Sequence, residues 1–406
     1  MGNLFDKQLI DTGLQRKMTI NGHTEIYKIY KVNLNDLYYN DQNDRIATWI
    51  SKYKADNNIE NINLTNYEEY NKLISSFIIK SNERAFKQTK NNIKLFGQQE
   101  PAVVLKDGRV IDGNRRFTCL RELAKENPKF GYIDVIILEK SIENNKKEIK
   151  LLELYLQHGR EERVDYNSVD KLVGMYNDIK RNKLVTIQEY SMHSGIEERE
   201  IKISLEIADL MNDFLEFIKM PEQYYIARDL ELATPLDEAR KVIKRVDSDE
   251  EKTDLKNIIF NFIIMRPEGD VSRYLRKIPA IINSKYYQEF VESQLELVET
   301  NQEKIEDEDI VTLDFLNEEI KSDYELKESI LDNYEKYQER LKKTQTLNAP
   351  KNQLEKAMEA INSIDTFIIT NLSDNEYHKF ISTLEELEST IRDFKIEVLG
   401  DVKSNS

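Results

Sequence analysis

The residues best suited to chemistry form the run Asp112-Gly113-Asn114-Arg115-Arg116. They follow two short β-type runs, Ala102 to Leu105 and Arg109 to Ile111, which flank Lys106-Asp107-Gly108. Asp-Gly between apolar runs is a strong hairpin signal. Phe117, Leu120, Leu123 and Ala124 then recur at helical spacing, so the second strand is predicted to turn directly into a helix. The first amides of a helix have no partner within it, and the helix dipole favours negative charge there. Gly113 lets backbone approach a ligand closely. Arg115 and Arg116 carry planar forks of donors that match phosphate oxygens. The pattern predicts a phosphate cradle. A plain hairpin and helix start, with both arginines facing water or pairing with nearby Glu, fits the same residues. Asp112 is the nearest carboxylate and suits three roles: catalytic base on a hydroxyl or water, ligand for Mg2+, or helix N-cap.

Composition bounds what surrounds this corner. The chain has 406 residues and a net charge of −16, so two to four domains are expected and bulk electrostatic coating of nucleic acid is disfavoured. Few Gly and Pro favour helices. The single cysteine, Cys119, precludes an internal disulfide and points to a reducing compartment; it reads as a small buried hydrophobe. No basic segment followed by an apolar core opens the chain. No apolar run approaches the roughly 18 residues of a membrane helix, so a soluble, cytoplasmic protein without a membrane partner is expected. His23, His158, His193 and His378 are scattered, and no metal site is predicted.

The elements that must position the corner read in order as follows. Residues 1–24 carry little pattern, and Glu25 to Val32 alternates as a strand. An Asn/Asp-rich loop ends in Arg45, and Arg45 to Tyr53 reads as a helix with Ile46, Trp49 and Ile50 on one face. Helices are predicted over Tyr67–Ile79 and Glu83–Phe96, with Gly97 as a stop. Tyr132–Leu138 reads as a buried strand. Glu143–Gln157 reads as a helix with Ile149, Leu152, Tyr155 and Leu156 on one stripe, and Ser168–Ile179 as another. Thr186 and Glu189 have capping-box spacing, Gly195 makes a turn, and a second helix starts near Glu197. This is the outline of a helix-turn-helix or of an ordinary helical hairpin. Further helices are predicted at Ile207–Lys219, Pro235–Arg245, Glu251–Met265 and Val271–Leu297. Residues 302–309 read as an acidic linker, and two long helices are predicted to flank Asn348-Ala349-Pro350. A last helix is capped by Ser373 and Glu376. The tail suits self-association or a protein partner, or is a solvated spacer.

Several of these segments, in this order, resemble the ParB/sulfiredoxin superfamily in its ParB-type arrangement. Val32 to Arg45 is similar to its opening box, Gly97-Gln98-Gln99-Glu100-Pro101-Ala102-Val103-Val104 to the box before the hairpin, and Asp112-Gly113-Asn114-Arg115-Arg116 to its Gly-x-Arg-Arg signature. Leu156-Gln157-His158, with Arg160 and Asp165-Tyr166, resembles a third box, and Lys219-Met220-Pro221-Glu222 the exit from the helix-turn-helix. The resemblance covers roughly residues 25–230. ParB clamps carry Glu where Asn114 stands. Sulfiredoxin needs Cys there, and Cys119 lies more than a helical turn later. The resemblance implies a small α/β domain that binds a nucleoside triphosphate, CTP or ATP, with Mg2+. Gly113, Asn114, Arg115 and Arg116 would hold phosphates together with Gln99, and Gln157, His158 and Arg160 would close the site.

The expected fold is therefore α+β, with four parts: a ParB/sulfiredoxin-like nucleotide-binding domain over 1–140, a helix-turn-helix domain over 141–230, a helical extension over 231–301 and a C-terminal helical region over 310–406. The expected function is nucleotide-switched association with DNA or with itself, as in plasmid partition or phage defence. Arg199, Lys202 and Ser204 on the second helix are the expected DNA contacts. The competing readings are an ATP-using enzyme, a nucleoside triphosphatase, nuclease or small-molecule kinase with Asp112 as catalytic base, and a helical scaffold with a vestigial cradle.

Overall fold

Strand pairing organises the N-terminal third of the chain. In this computed structural model, which describes residues 2–20, 23–41, 43–139, 142–158, 167–266 and 270–404, six strands form one mixed sheet. These are β1 (Ile10–Ile20), β2 (His23–Asn33), β3 (Tyr38–Tyr39), β4 (Ala102–Leu105), β5 (Arg109–Asp112) and β6 (Tyr132–Leu138), in the order β1-β2-β6-β4-β5-β3. β4 runs parallel to β6 and β3 parallel to β5; the other pairs are antiparallel. β4 and β5 are the predicted hairpin. β1 departs from expectation: residues read as patternless form an edge strand paired from Ile10↔Lys31 to Ile20↔His23. Pairing through backbone, with most side chains in water, leaves little alternation to read.

Alternation in the central strands divides the core in two. Ala102, Val104, Val110, Ile133, Val135 and Ile137 face one cluster with Phe77, Phe86, Phe117, Leu120 and Leu123. That face is covered by α2 (Tyr67–Ser81), α3 (Glu83–Phe96) and α4 (Asn114–Glu126), after the short helix α1 (Ala47–Asn57). Cys119 is buried there, and burial pushes its thiol up to about 12, so it packs as a small hydrophobe. Val103, Leu105, Ile111, Ile136 and Leu138 face the opposite way, against Ile149, Leu152 and Leu156 of α5 (Ile142–His158).

α5 is buried on a second side as well. Leu151 and Leu154 pack with Met175, Val185, Tyr190, Ile196, Ile201 and Leu205. These belong to α6 (Ser168–Tyr176), α7 (Ile187–Ser194), α8 (Glu198–Phe217) and the loops between them. Tyr155, assigned to the buried stripe, is exposed instead. The α6 helix runs on past Tyr176 as a wider π-helical stretch over Asn177–Arg181, so helical backbone covers the predicted Ser168–Ile179. The predicted capping box at Thr186 and Glu189 is formed in both directions.

Beyond α8 the chain is helical: α9 (Tyr224–Asp229), α10 (Ala233–Ile243), α11 (Asp249–Met265), α12 (Val271–Leu275), α13 (Ile278–Ile282), α14 (Tyr287–Asp307), α15 (Leu313–Phe315) and α16 (Tyr324–Asn362). The single helix predicted over Val271–Leu297 is three: Pro279 sits in the first turn of α13, where its missing amide is tolerated, and residues 283–286 separate α13 from α14. The acidic stretch 302–309 is no linker up to Asp307. Ile305 within it and Asn301 just before it are buried, and Asn301 donates to Asn261 of α11 at 2.6 Å. Pro350 lies inside α16 rather than between two helices. The missing amide costs one hydrogen bond, and strong helix formers on both sides carry the helix through.

The chain divides into two compact units, residues 1–337 and 338–406. The second unit holds the end of α16, α17 (Thr366–Ile369) and α18 (Asp374–Ser404).

Candidate functional site

The corner between β5 and α4 is set by Gly113. Its φ is +94°, a backbone region that side chains disfavour. A Cβ there would also lie 2.8 Å from the Ala102 Cβ and 3.0 Å from Arg116 Nη2. Strand β4 and the Arg116 guanidinium therefore pack directly on the glycine. Gly113, not Asp112, is the N-cap of α4, and no side chain caps the helix. The first turn is anchored from below: Thr118 donates to the Asn114 carbonyl at 2.9 Å, and its hydroxyl meets that of Tyr39 at 2.9 Å. Tyr39 packs against Phe117 with ring centroids 4.7 Å apart.

The two arginines of the run part company. Arg116 folds back and donates to Asp112 Oδ2 at 3.0 Å, one helical turn apart. Arg115 has no hydrogen bond or ion pair to any described residue. It is half-buried, and burial lowers its pKa to about 10, with the charge of Arg45 adding to the effect. The neighbouring guanidiniums are thus Arg115 and Arg45. Asn114 is buried, and its Oδ1 has no hydrogen-bond partner among the described residues. A desolvated guanidinium beside a second one, at a helix start without a side-chain cap, is an environment that an anion stabilises.

Gln99 is exposed and donates to the Phe96 carbonyl at the end of α3, at 2.7 Å. Its neighbour Gln98 ties the chain entering β4 to the central strand β6, bonding the Asp134 backbone through both amide atoms and donating to the Glu100 carbonyl. The side chains of Gln157 and His158, and all of Arg160, lie outside the described residues.

Sequence reasoning did not find the largest buried charge cluster. Lys150 of α5 sits with its Nζ 3.1 Å from both oxygens of Asp44, 3.0 Å from Asp178 and 3.5 Å from Glu153. All four side chains are nearly or fully buried. Burial raises the pKa of Glu153, and of Asp178, where Asp44 adds to it; the three carboxylates together raise that of Lys150 against its own burial. Arg45 also acts on Glu153. Asp44 enters this space because Gly174 of α6 has no side chain: a Cβ there would fall 2.4 Å from Asp44 Cγ. Beside it, Asp170 accepts from Thr48 at 2.6 Å and from Arg228 at 3.1 Å, and the Arg228 guanidinium lies 5.0 Å from the Trp49 ring centre. The adjacent opposite charges Asp44-Arg45, just before a helix, were the only signal in the sequence.

On α8, Arg199 is exposed and Ser204 half-buried, while Lys202 pairs with Glu198 at 3.7 Å. Glu197, Glu198 and Glu200 surround the two cations, and Glu200 pairs with Lys171. Among the described residues, no group of three His, Cys, Asp or Glu could hold a metal ion, and no helix is long and apolar enough to cross a membrane.

No protein-family model matches the chain. No curated protein matches it either. Among solved structures, the chain is similar to a Pnob8-like ParB-N domain, at 12% identity and a TM-score of 0.34. The similarity covers 66% of this chain and 97% of that one.

Proposed function

We propose that the β5–α4 corner binds the phosphates of a nucleoside triphosphate, and that the bound nucleotide switches association of the chain with DNA or with itself. The observation that carries the reading is Arg115: a partly desolvated guanidinium, beside Arg45, with no acidic partner among the described residues. Bare α4 amides and the uncommitted Asn114 Oδ1 lie in the same turn. Asp112 is engaged by Arg116, so its role here is to hold that guanidinium over Gly113 rather than to take a proton from a substrate. In this reading α7 and α8 act as a helix-turn-helix, with Arg199 and Lys202 as the DNA contacts.

Calorimetry with CTP, ATP and GTP, with and without Mg2+, tests the first part. Binding of at least one triphosphate is expected, weakened tenfold or more by Arg115→Ala. No heat with any nucleotide overturns it. Gel shifts at several salt concentrations test the second part, because phosphate contacts make affinity fall steeply with salt. No shift at low salt removes DNA from the reading.

A further inference from the structure

The second unit carries an apolar face that the nucleotide reading does not use. Along α18, Tyr377, Phe380, Leu384, Leu387, Ile391, Phe394 and Val398 follow one another at spacings of three and four residues without interruption. This is a strict seven-residue repeat, over a length of about 33 Å at 1.5 Å per residue. A straight helix drifts away from such a repeat, so its natural partner is another helix supercoiled around it. Six of the seven side chains are between 37% and 52% exposed, and Phe380 is half-buried. Together they offer on the order of 500 Å2 per copy, so two copies would bury about 1,000 Å2, the lower bound of a specific interface.

We propose that Tyr377–Val398 is a parallel coiled-coil seam that joins two copies of this chain. The repeat and the area it offers fit a second copy of the same helix, and the flanking charges set its direction. In a parallel pair in register, Glu376 of one copy faces Ile381 of the other, Thr383 faces Glu388, and Thr390 faces Lys395, so no like charges meet. An antiparallel pair sharing the same layers sets Glu376 against Glu397, twice over. Tyr377, Leu384, Ile391 and Val398 share one core position and Phe380, Leu387 and Phe394 the other; in the C-terminal half, β-branched Ile391 and Val398 at the first with Leu387 at the second is the placement that favours two strands. The seam is independent of the corner at Gly113, and Arg115→Ala leaves it intact.

Sedimentation equilibrium of the full chain at micromolar concentration should give twice the single-chain mass. Leu387→Lys with Ile391→Lys should halve it, while Ser389→Lys, on the outer face, should not. A wild-type chain of single-chain mass overturns the proposal, and so does a dimer that survives the double substitution. Direction is read from Ile391→Cys. Parallel copies bring the two new thiols together, and mild oxidation should give a covalent dimer, with the buried Cys119 left out. If covalent dimers form only when Phe380→Cys and Ile391→Cys chains are mixed, the parallel arrangement is wrong.

Discussion

Lys150→Met tests how the two halves of the first unit are held together. Met matches the length of Lys and keeps the packing of α5, so the substitution removes charge and little else. It leaves Asp44, Glu153 and Asp178 around a space that held their shared cation at 3.0–3.5 Å. Removing one partner of a buried ionic cluster costs about 3–5 kcal/mol, because the remaining charges stay desolvated. The cost should also depend on pH. Glu153 and Asp178 have folded pKa values above their unfolded ones, so the folded state keeps protons that the unfolded chain releases. Their contribution is therefore largest at low pH and is lost as pH rises through the raised folded values. Without the Lys150 charge those values rise further, and the protonated carboxyls no longer need a cation. The deficit of the variant should be full at pH 8 and shrink toward pH 5. Trp49, the one tryptophan, lies in α1 against Arg228 and next to the Thr48–Asp170 bond to α6, so its fluorescence in urea reports this region. A deficit below about 1 kcal/mol, or one equal at both pH values, would refute the account of a cluster held by its central cation.

Other outcomes follow from the same geometry. Gly113→Ala meets both a disfavoured φ and the Ala102 Cβ, and should cost about 2–4 kcal/mol in urea unfolding, with loss of any nucleotide binding. Asp170 is raised to about 6 by burial, so it contributes a loss of stability as pH rises from about 4 to 6; Asp170→Asn should flatten the stability profile across that window. Glu189 is held down to about 2 by Lys147 and by the Thr186 cap, so its contribution is present above about pH 4 and lost as pH falls toward 2. Thr186→Ala should cost about 1 kcal/mol at pH 7, read by thermal unfolding.

Local signals in the sequence were read well, and those that depend on distant partners were not. The turn at Asp107-Gly108, the stop at Gly97 and the Thr186–Glu189 box each depend on residues within a few positions, and each is formed. The corner was legible for the same reason, since a strand, a glycine and a helix adjoin in sequence. What Arg115 faces was not legible, because Arg45 lies 70 residues earlier (115 − 45) and meets it only through the fold. The edge strand β1 escaped because pairing to β2 uses backbone and leaves its side chains wet. In the sequence α5 shows one stripe, Ile149, Leu152, Tyr155 and Leu156; its second face is buried only because α6 and α7 cover it.

That second face gives α5 its place in the architecture. Its apolar residues Ile149, Leu152 and Leu156 rest on the sheet that carries the Gly113 corner, and Leu151 and Leu154 rest on the helices that lead into α8. The segment Asp44-Arg45 repeats the link in charge: Asp44 meets Lys150 of α5, while Arg45 acts on both Arg115 and Glu153. An anion at Arg115 would offset repulsion from Arg45, and any shift of Arg45 is felt at Glu153 in the core of α5. Two charges on adjacent residues thus connect the Gly113 corner to the helix that the helical half is built on. If a nucleotide binds at this corner, it should therefore change the pH dependence reported by Trp49, and in Lys150→Met, where Glu153 titrates higher, this change should move to higher pH while nucleotide binding itself remains.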